Sequence, residues 1–216
     1  DILGSNSAWR AFTIDGESPE TLARYGDNKF GRSCLVARRL VEAGVGLVTV
    51  PWMYLHSTKN FDTHDKHFKV MKDLLLPPMD RAFSALIEDL CQRGRLDETL
   101  IAWTGEFGRT PKISYQPSTG AGNASAPAGT KQPGRDHWAR LAPLMLYGGG
   151  ISNGQVIGQS TRDGGEPLAD AVNSEHLIAT ILHTLLDIPE LRLKTGLPSD
   201  LLRFVTTGEP IPRLFS

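Results

Sequence analysis

Cysteine is nearly missing from this chain: Cys34 and Cys91 are the two in 216 residues. Two cysteines cannot build the multi-bridge framework that staples small secreted domains, although one disulfide stays open. Each falls in an amphipathic helical pattern and reads as a buried small hydrophobe. An excess of charge of either sign is also missing, since 23 Lys and Arg face 24 Asp and Glu. This excludes the basic footprint of a nucleic-acid binder, and there is no basic amphipathic helix for a membrane surface. No apolar run approaches the roughly 20 residues needed to span a bilayer. Internal repeats are absent. So are the Gly-x-Ser-x-Gly elbow and the glycine-rich lysine loop that cradles phosphates, which leaves nucleophilic and nucleotide chemistry without their usual signatures. What remains is an ordinary globular composition, 40% hydrophobic and 22% charged. The length suffices for one substantial core, read as a single domain over 1–216.

The most informative stretch is Thr99-Leu-Ile-Ala-Trp-Thr-Gly-Glu-Phe-Gly-Arg-Thr-Pro111. Its apolar run reads as a central parallel strand covered on both faces, and its polar turn sets Glu106 between two glycines. Ligands of open α/β sheets sit beyond the carboxyl ends of the strands, so Glu106 is a candidate carboxylate. Val45–Pro51 and Ala142–Tyr147 read as further strands, with a short one near Gln155–Gly158. Helices are predicted over 19–25 behind a Ser18 cap, over 31–44, over 68–76, from Pro78 to Gly94, and from Ser174 onward. Pro77 and Pro78 read as an interruption between the third and fourth of these. Arg38 and Arg39 lie off the apolar stripe of their helix and read as solvated. Ser114–Gly134, poor in large apolar residues, reads as a mobile flap beside a site, and the Pro-rich tail after Asp187 as a surface wrap. The alternation of strands and helices predicts an α/β fold, a mostly parallel sheet with helices on both faces.

Three polar clusters could do chemistry: Asp62 with His64 and His67, Glu106, and Asp136 with His137. Carboxylates and imidazoles are good ligands for Zn²⁺ and related ions. Asp62 and His64 stand two apart, which suits an extended loop that points both side chains one way. His176 and His183 lie in a helix, where capping or a polar face explains them; His56 is undecided. Arg109 and Arg135 flank the clusters. A guanidinium fork suits phosphate, sulfate or carboxylate, and an ion pair with Glu106 or Asp136 is the equal alternative.

The segments Ala37-Arg-Arg-Leu-Val-Glu-Ala-Gly-Val45, Phe61-Asp-Thr-His64, Gly105-Glu-Phe-Gly-Arg-Thr-Pro111 and Gly134-Arg-Asp-His-Trp138 resemble the sulfatase-like bacterial family called domain of unknown function 1501. The run from Met79 to Glu106 also looks like the helix–strand unit of the alkaline phosphatase and sulfatase superfamily. The resemblance implies a partial alkaline-phosphatase-like fold, the C-terminal portion of a larger protein, and a periplasmic or secreted location. It implies one site for a divalent ion (Zn, Ca or Mg) on Asp62, His64 and His137, with Glu106 where the superfamily has a metal-binding aspartate. Phe107 stands where the superfamily has a histidine. The substrate implied is a small sulfate or phosphate ester, in one version carried on a carbohydrate, with Arg109 or Arg135 holding its anion. A non-catalytic relative that binds a carbohydrate or a partner protein is the alternative.

Overall fold

The computed structural model describes residues 6–52, 60–64, 66–121 and 126–215. In chain order the helices and strands are α1 (Asn6–Ala11), α2 (Pro19–Tyr25), α3 (Lys29–Glu42), α4 (His67–Val70), α5 (Leu76–Gln92), β1 (Leu100–Thr104), β2 (Gly108–Arg109), β3 (His137–Trp138), β4 (Leu144–Gly148), β5 (Gln159–Ser160), β6 (Pro167–Ala169), α6 (Ser174–Leu185), α7 (Ile188–Arg192) and α8 (Ser199–Thr207). They fall into two compact units, Asp1–Gly94 with Arg109–Trp138, and Arg95–Gly108 with Ala139–Ser216. No helix among the described residues is long and apolar enough to cross a membrane.

The first unit is built on α2, α3 and α5. Their starts are set locally: Ser18 accepts from the Thr21 amide ahead of Pro19, and Asn28 accepts from the Gly31 amide. Tyr25, Cys34, Leu35, Ala82 and Ala85 form the buried core where the three helices meet. Full burial of a side chain such as Leu35 contributes about 1.5–3 kcal/mol. Pro77 and Pro78 do not interrupt the helical path. They occupy the first turn of α5, and a π-helical stretch, Met71–Leu75, widens the turn before them, where their missing N–H groups and their rings would otherwise collide with the regular ladder.

Arg38 and Arg39 are not solvated. Arg38 is 2% exposed. Its Nη1 donates to Glu42 at 2.6 Å, while Nη2 and Nε face Glu17 at 2.8 Å and Asp89 at 3.1 Å as ion pairs without hydrogen-bond alignment. Asp89 also accepts from Tyr25 Oη at 3.0 Å and Arg93 Nε at 2.7 Å. Arg39 pairs with Glu17 and donates to the carbonyls of Ala11 and Arg10 at the end of α1. An off-stripe arginine becomes buried here because α5 presents Asp89 to the same side of α3, a contact that helical periodicity cannot register. Cys34 is buried as expected, but Cys91 is exposed, and both are free thiols.

Two predicted elements of this unit change character. Residues 45–50 form no strand, and Val50 packs against the helical core instead. The predicted strand end at Met53 and Tyr54 lies outside the described residues, as does His56. The segment expected to be a flap has a paired base: the amides of Ser114 and Gly134 each donate to the other's carbonyl at 2.9 Å, and Pro117 bridges Lys131. Residues 122–125 of that segment lie outside the described residues.

The second unit overturns the parallel sheet. Its β1 pairs with β4 antiparallel, Leu100 opposite Gly148 and Thr104 opposite Leu144. β5 and β6 pair antiparallel as well, at Gln159–Ser160 rather than at 155–158. The sheets among the described residues are two-stranded, so the mostly parallel, alkaline-phosphatase-like sheet with helices on both faces is not this fold. The cause lies in the path of the chain. It leaves β1 at Thr104 and returns beside that same end, where Thr104 Oγ1 donates to the Pro143 carbonyl at 3.1 Å. A parallel partner would require a crossover back to the start of β1. Nor is β1 covered on both faces, for Ala102, Trp103 and Thr104 are exposed. Gly148 closes β4 with φ +76°, and a Cβ there would stand 2.5 Å from the Thr99 carbonyl. The tail is not a wrap. It carries α7, opened by Asp187 and Pro189, then α8, and its Ile211 and Leu214 are buried with Ile151.

Candidate metal centre

The centre lies wholly in the first unit and is made by two segments. One is residues 60–64. Phe61 packs edge-on against Trp52 with ring centroids 5.0 Å apart, and Trp52 packs on Phe30 of α3 at 4.6 Å. With Phe61 anchored, the extended backbone alternates: Thr63 is fully buried, and Asp62 and His64 face the other way, about half exposed. The second segment is the return of the long arm, where Thr110 N donates to the Asp136 carbonyl at 2.9 Å and Asp136 N donates to Thr110 Oγ1 at 3.1 Å. This pairing delivers Asp136 and His137.

Asp62 Oδ1, His64 Nε2 and His137 Nε2 form a small triangle with sides of 2.9, 2.8 and 3.2 Å. Donors held by one ion at about 2.0–2.2 Å stand roughly 2.8–3.6 Å apart for angles between octahedral and tetrahedral. The triangle therefore fits a single divalent ion and leaves further coordination positions open. One carboxylate and two imidazoles suit Zn²⁺ and equally Fe²⁺. His64 Nδ1 lies 3.1 Å from Asp136 Oδ1, the carboxylate–imidazole contact that fixes the tautomer with Nε2 as ligand. Among the described residues no other group of three such side chains comes together.

Arg109 holds the carboxylate of this centre. Nη2 donates to Asp62 Oδ1 at 3.0 Å and to the Phe61 carbonyl at 2.9 Å, and Nη1 donates to the Arg135 carbonyl at 3.3 Å. Burial opposes ionisation of Asp62, but the hydrogen bonds from His137 and Arg109 outweigh it and hold the carboxyl down at about 2. Asp62 is an anionic ligand at any pH where the protein is folded.

Of the residues proposed from sequence, Asp62, His64 and His137 converge, and Asp136 stands one step behind on His64. Arg109 neither pairs with Glu106 or Asp136 nor points away; it holds Asp62. Arg135 Nε donates to the Thr110 carbonyl at 2.5 Å. Glu106 belongs to the second unit, is exposed, and takes no part in the three-donor group. His67 turns to Thr63 Oγ1 at 2.6 Å, and burial together with Arg135 and Arg109 lowers its pKa. Asp65 lies outside the described residues. His176 caps α6 by accepting from the Asn173 amide, whereas His183 Nε2 is buried without a hydrogen-bond partner. The residues missed from sequence are Thr110 and Phe61, which place the ligands without touching an ion. Their trace in the sequence is the pair Arg109-Thr110 and Arg135-Asp136 at the two ends of one long polar segment, the pattern of a paired base.

The strand-end rule of parallel sheets does not explain this centre, because its ligands come from an extended loop and a two-residue strand. The chain matches the family described as "Protein of unknown function (DUF1501)" over residues 4–211, and it belongs to that family. No curated protein and no solved structure gives a significant match.

Proposed function

We propose that this chain is a metal-dependent hydrolase domain acting on sulfate or phosphate esters, with a divalent ion on Asp62, His64 and His137. The observation that carries the proposal is the triangle of three donor atoms with sides of 2.8–3.2 Å, assembled from segments more than 70 residues apart. The four sequence motifs that resemble sulfatase-like proteins support the ester class and a place in the alkaline phosphatase and sulfatase superfamily by chemistry; the sheet lends that placement nothing. A periplasmic or secreted setting belongs to the same reading.

A bound ion would polarise the ester oxygens and lower the pKa of a bound water. The chain does the rest. Asp62, kept ionised by His137 and Arg109, supplies the negative ligand. Asp136 orients His64. Arg135 keeps one nitrogen on Thr110 and offers the remainder of its fork to the substrate anion, the role for which Arg109 is less suited with both terminal nitrogens donating to the protein.

One observation favours the non-catalytic alternative, a domain that binds a carbohydrate or partner protein through the same centre. Thr63, the hydroxyl within the ligand loop, is fully buried and bonded to His67, so that loop offers no hydroxyl nucleophile. The deciding experiment loads the full chain with Zn²⁺, Mn²⁺, Fe²⁺, Mg²⁺ or Ca²⁺ and measures metal content and turnover of 4-nitrophenyl sulfate and 4-nitrophenyl phosphate. Metal uptake with turnover, both lost in His137→Ala, supports the hydrolase. Uptake without turnover gives the binding domain, and no uptake at micromolar supply overturns both.

A further inference from the structure

A hollow of ≈ 440 Å³ lies beside the centre, lined by Thr110, Lys112, Ile113, Ser114, Tyr115, Gln116 and Asp136. Asp136 is the wall that the two share, since its Oδ1 meets His64 Nδ1. We propose that this hollow is the subsite for the alcohol half of the ester and that it takes an anionic sugar, a polyhydroxylated ring with a negative substituent. The inference rests on the ester reading above and deepens it.

Three kinds of group line the hollow, and each fits one part of such a ring. Tyr115 is 66% exposed and Ile113 42% exposed, an aromatic and an aliphatic face laid open to solvent. An aromatic face of this kind packs on the C–H side of a pyranose. The Gln116 amide both donates and accepts, and the Asp136 carboxylate accepts, which is the complement of a row of hydroxyls. Lys112 makes no ion pair among the described residues, so its ammonium is available to a sulfate or carboxylate on the ring. The size agrees: hollows that hold small ligands run from about 300 Å³ upward. A flat aryl alcohol would use Tyr115 but leave the amide, the carboxylate and the ammonium unanswered.

The test uses the full, ¹⁵N-labelled, zinc-loaded chain, titrated in parallel with glucose 6-sulfate, glucose and phenyl sulfate, while amide shifts are followed over residues 112–116. Glucose 6-sulfate is expected to bind there at least tenfold more tightly than glucose or phenyl sulfate. Lys112→Gln should erase the preference over glucose, and Tyr115→Ala should weaken both sugars at least tenfold. Both positions are exposed, and zinc affinity, read with a chromophoric competitor, should not change in either variant. Zinc-loaded protein whose 112–116 amides ignore glucose 6-sulfate, or whose binding survives both substitutions, overturns the subsite and leaves the metal centre intact. Phenyl sulfate binding as tightly as glucose 6-sulfate overturns the sugar assignment. The same shifts in a chain that takes up no zinc would sustain the subsite and remove the metal reading.

Discussion

Two clusters in the first unit combine carboxylates with nitrogen cations, and they differ in nearly everything else. Around Arg38, the carboxylates of Glu17 and Asp89 are 8% and 7% exposed and face guanidinium groups that cannot lose their protons. Around Asp62, the side chains are 42–51% exposed and the facing nitrogens are imidazoles. The first arrangement closes on itself: a buried charge needs a permanent partner, and arginine supplies one. The second can hand its lone pairs to something else. Neutral imidazole is a ligand and guanidinium is not, so one set of charges ties helices together while the other is fit for a metal.

The largest effect that would break the comparison is expected from Arg38→Ala. It leaves Glu17 and Asp89 buried without their shared cation, and loss of one partner of a buried pair costs about 3–5 kcal/mol. Urea denaturation measures it, and a loss below about 1 kcal/mol would mean that the network is no more than a surface pair. His137→Ala should do the reverse. In chelator its unfolding free energy should stay within about 1 kcal/mol of the parent, as befits exposed ion pairs, while bound zinc falls from one per chain to nearly none. His183→Ala, which touches no ligand, should keep its zinc, and equal losses in both variants would detach metal binding from the centre.

Asp136→Ala sharpens the contrast on a smaller scale. It removes the partner that orients His64, and such losses weaken metal binding by about 10–100-fold. Competition titration reads this directly; an unchanged affinity would show that His64 needs no support. The smallest effect is the pH dependence. Burial raises the pKa of Glu17, but Arg39 and Arg38 outweigh it; burial likewise opposes the Arg93 and Tyr25 hydrogen bonds at Asp89, and both carboxyls end below their ordinary values. Folded pKa values below the unfolded ones, about 4.3 and 3.9, mean stability that is present above about pH 4.5 and lost as pH falls through the folded values. Asp89→Asn should therefore flatten the fall in unfolding free energy between pH 5 and 3. Asp62→Asn should flatten it less despite its own low pKa, because a half-exposed carboxylate is screened by water. A larger change in Asp62→Asn would mean that exposure is not what separates the two clusters.

What the sequence by itself determined is local. Ser18, Asn28 and Asn173 each cap a helix through an amide three residues on, an interaction within one turn that no distant contact decides. Asp62 and His64 share a side because successive residues of an extended chain alternate, and Phe61 and Thr63 take the other. The family membership is legible in four short motifs for the same reason. Only the tertiary structure decided the rest. The apolar run of β1 is compatible with a parallel or an antiparallel neighbour, and the direction was set by the end at which the chain returned after Trp138. Arg38 lies off the apolar stripe of its helix, and only the arrival of Asp89 on α5 turned it from a surface charge into a buried one. His137 met His64 because the base of the long arm is zipped through Thr110 and Asp136. Short-range hydrogen bonds and side-chain alternation are written in neighbouring letters, whereas strand direction and the partner of a charge depend on the path of all the chain between.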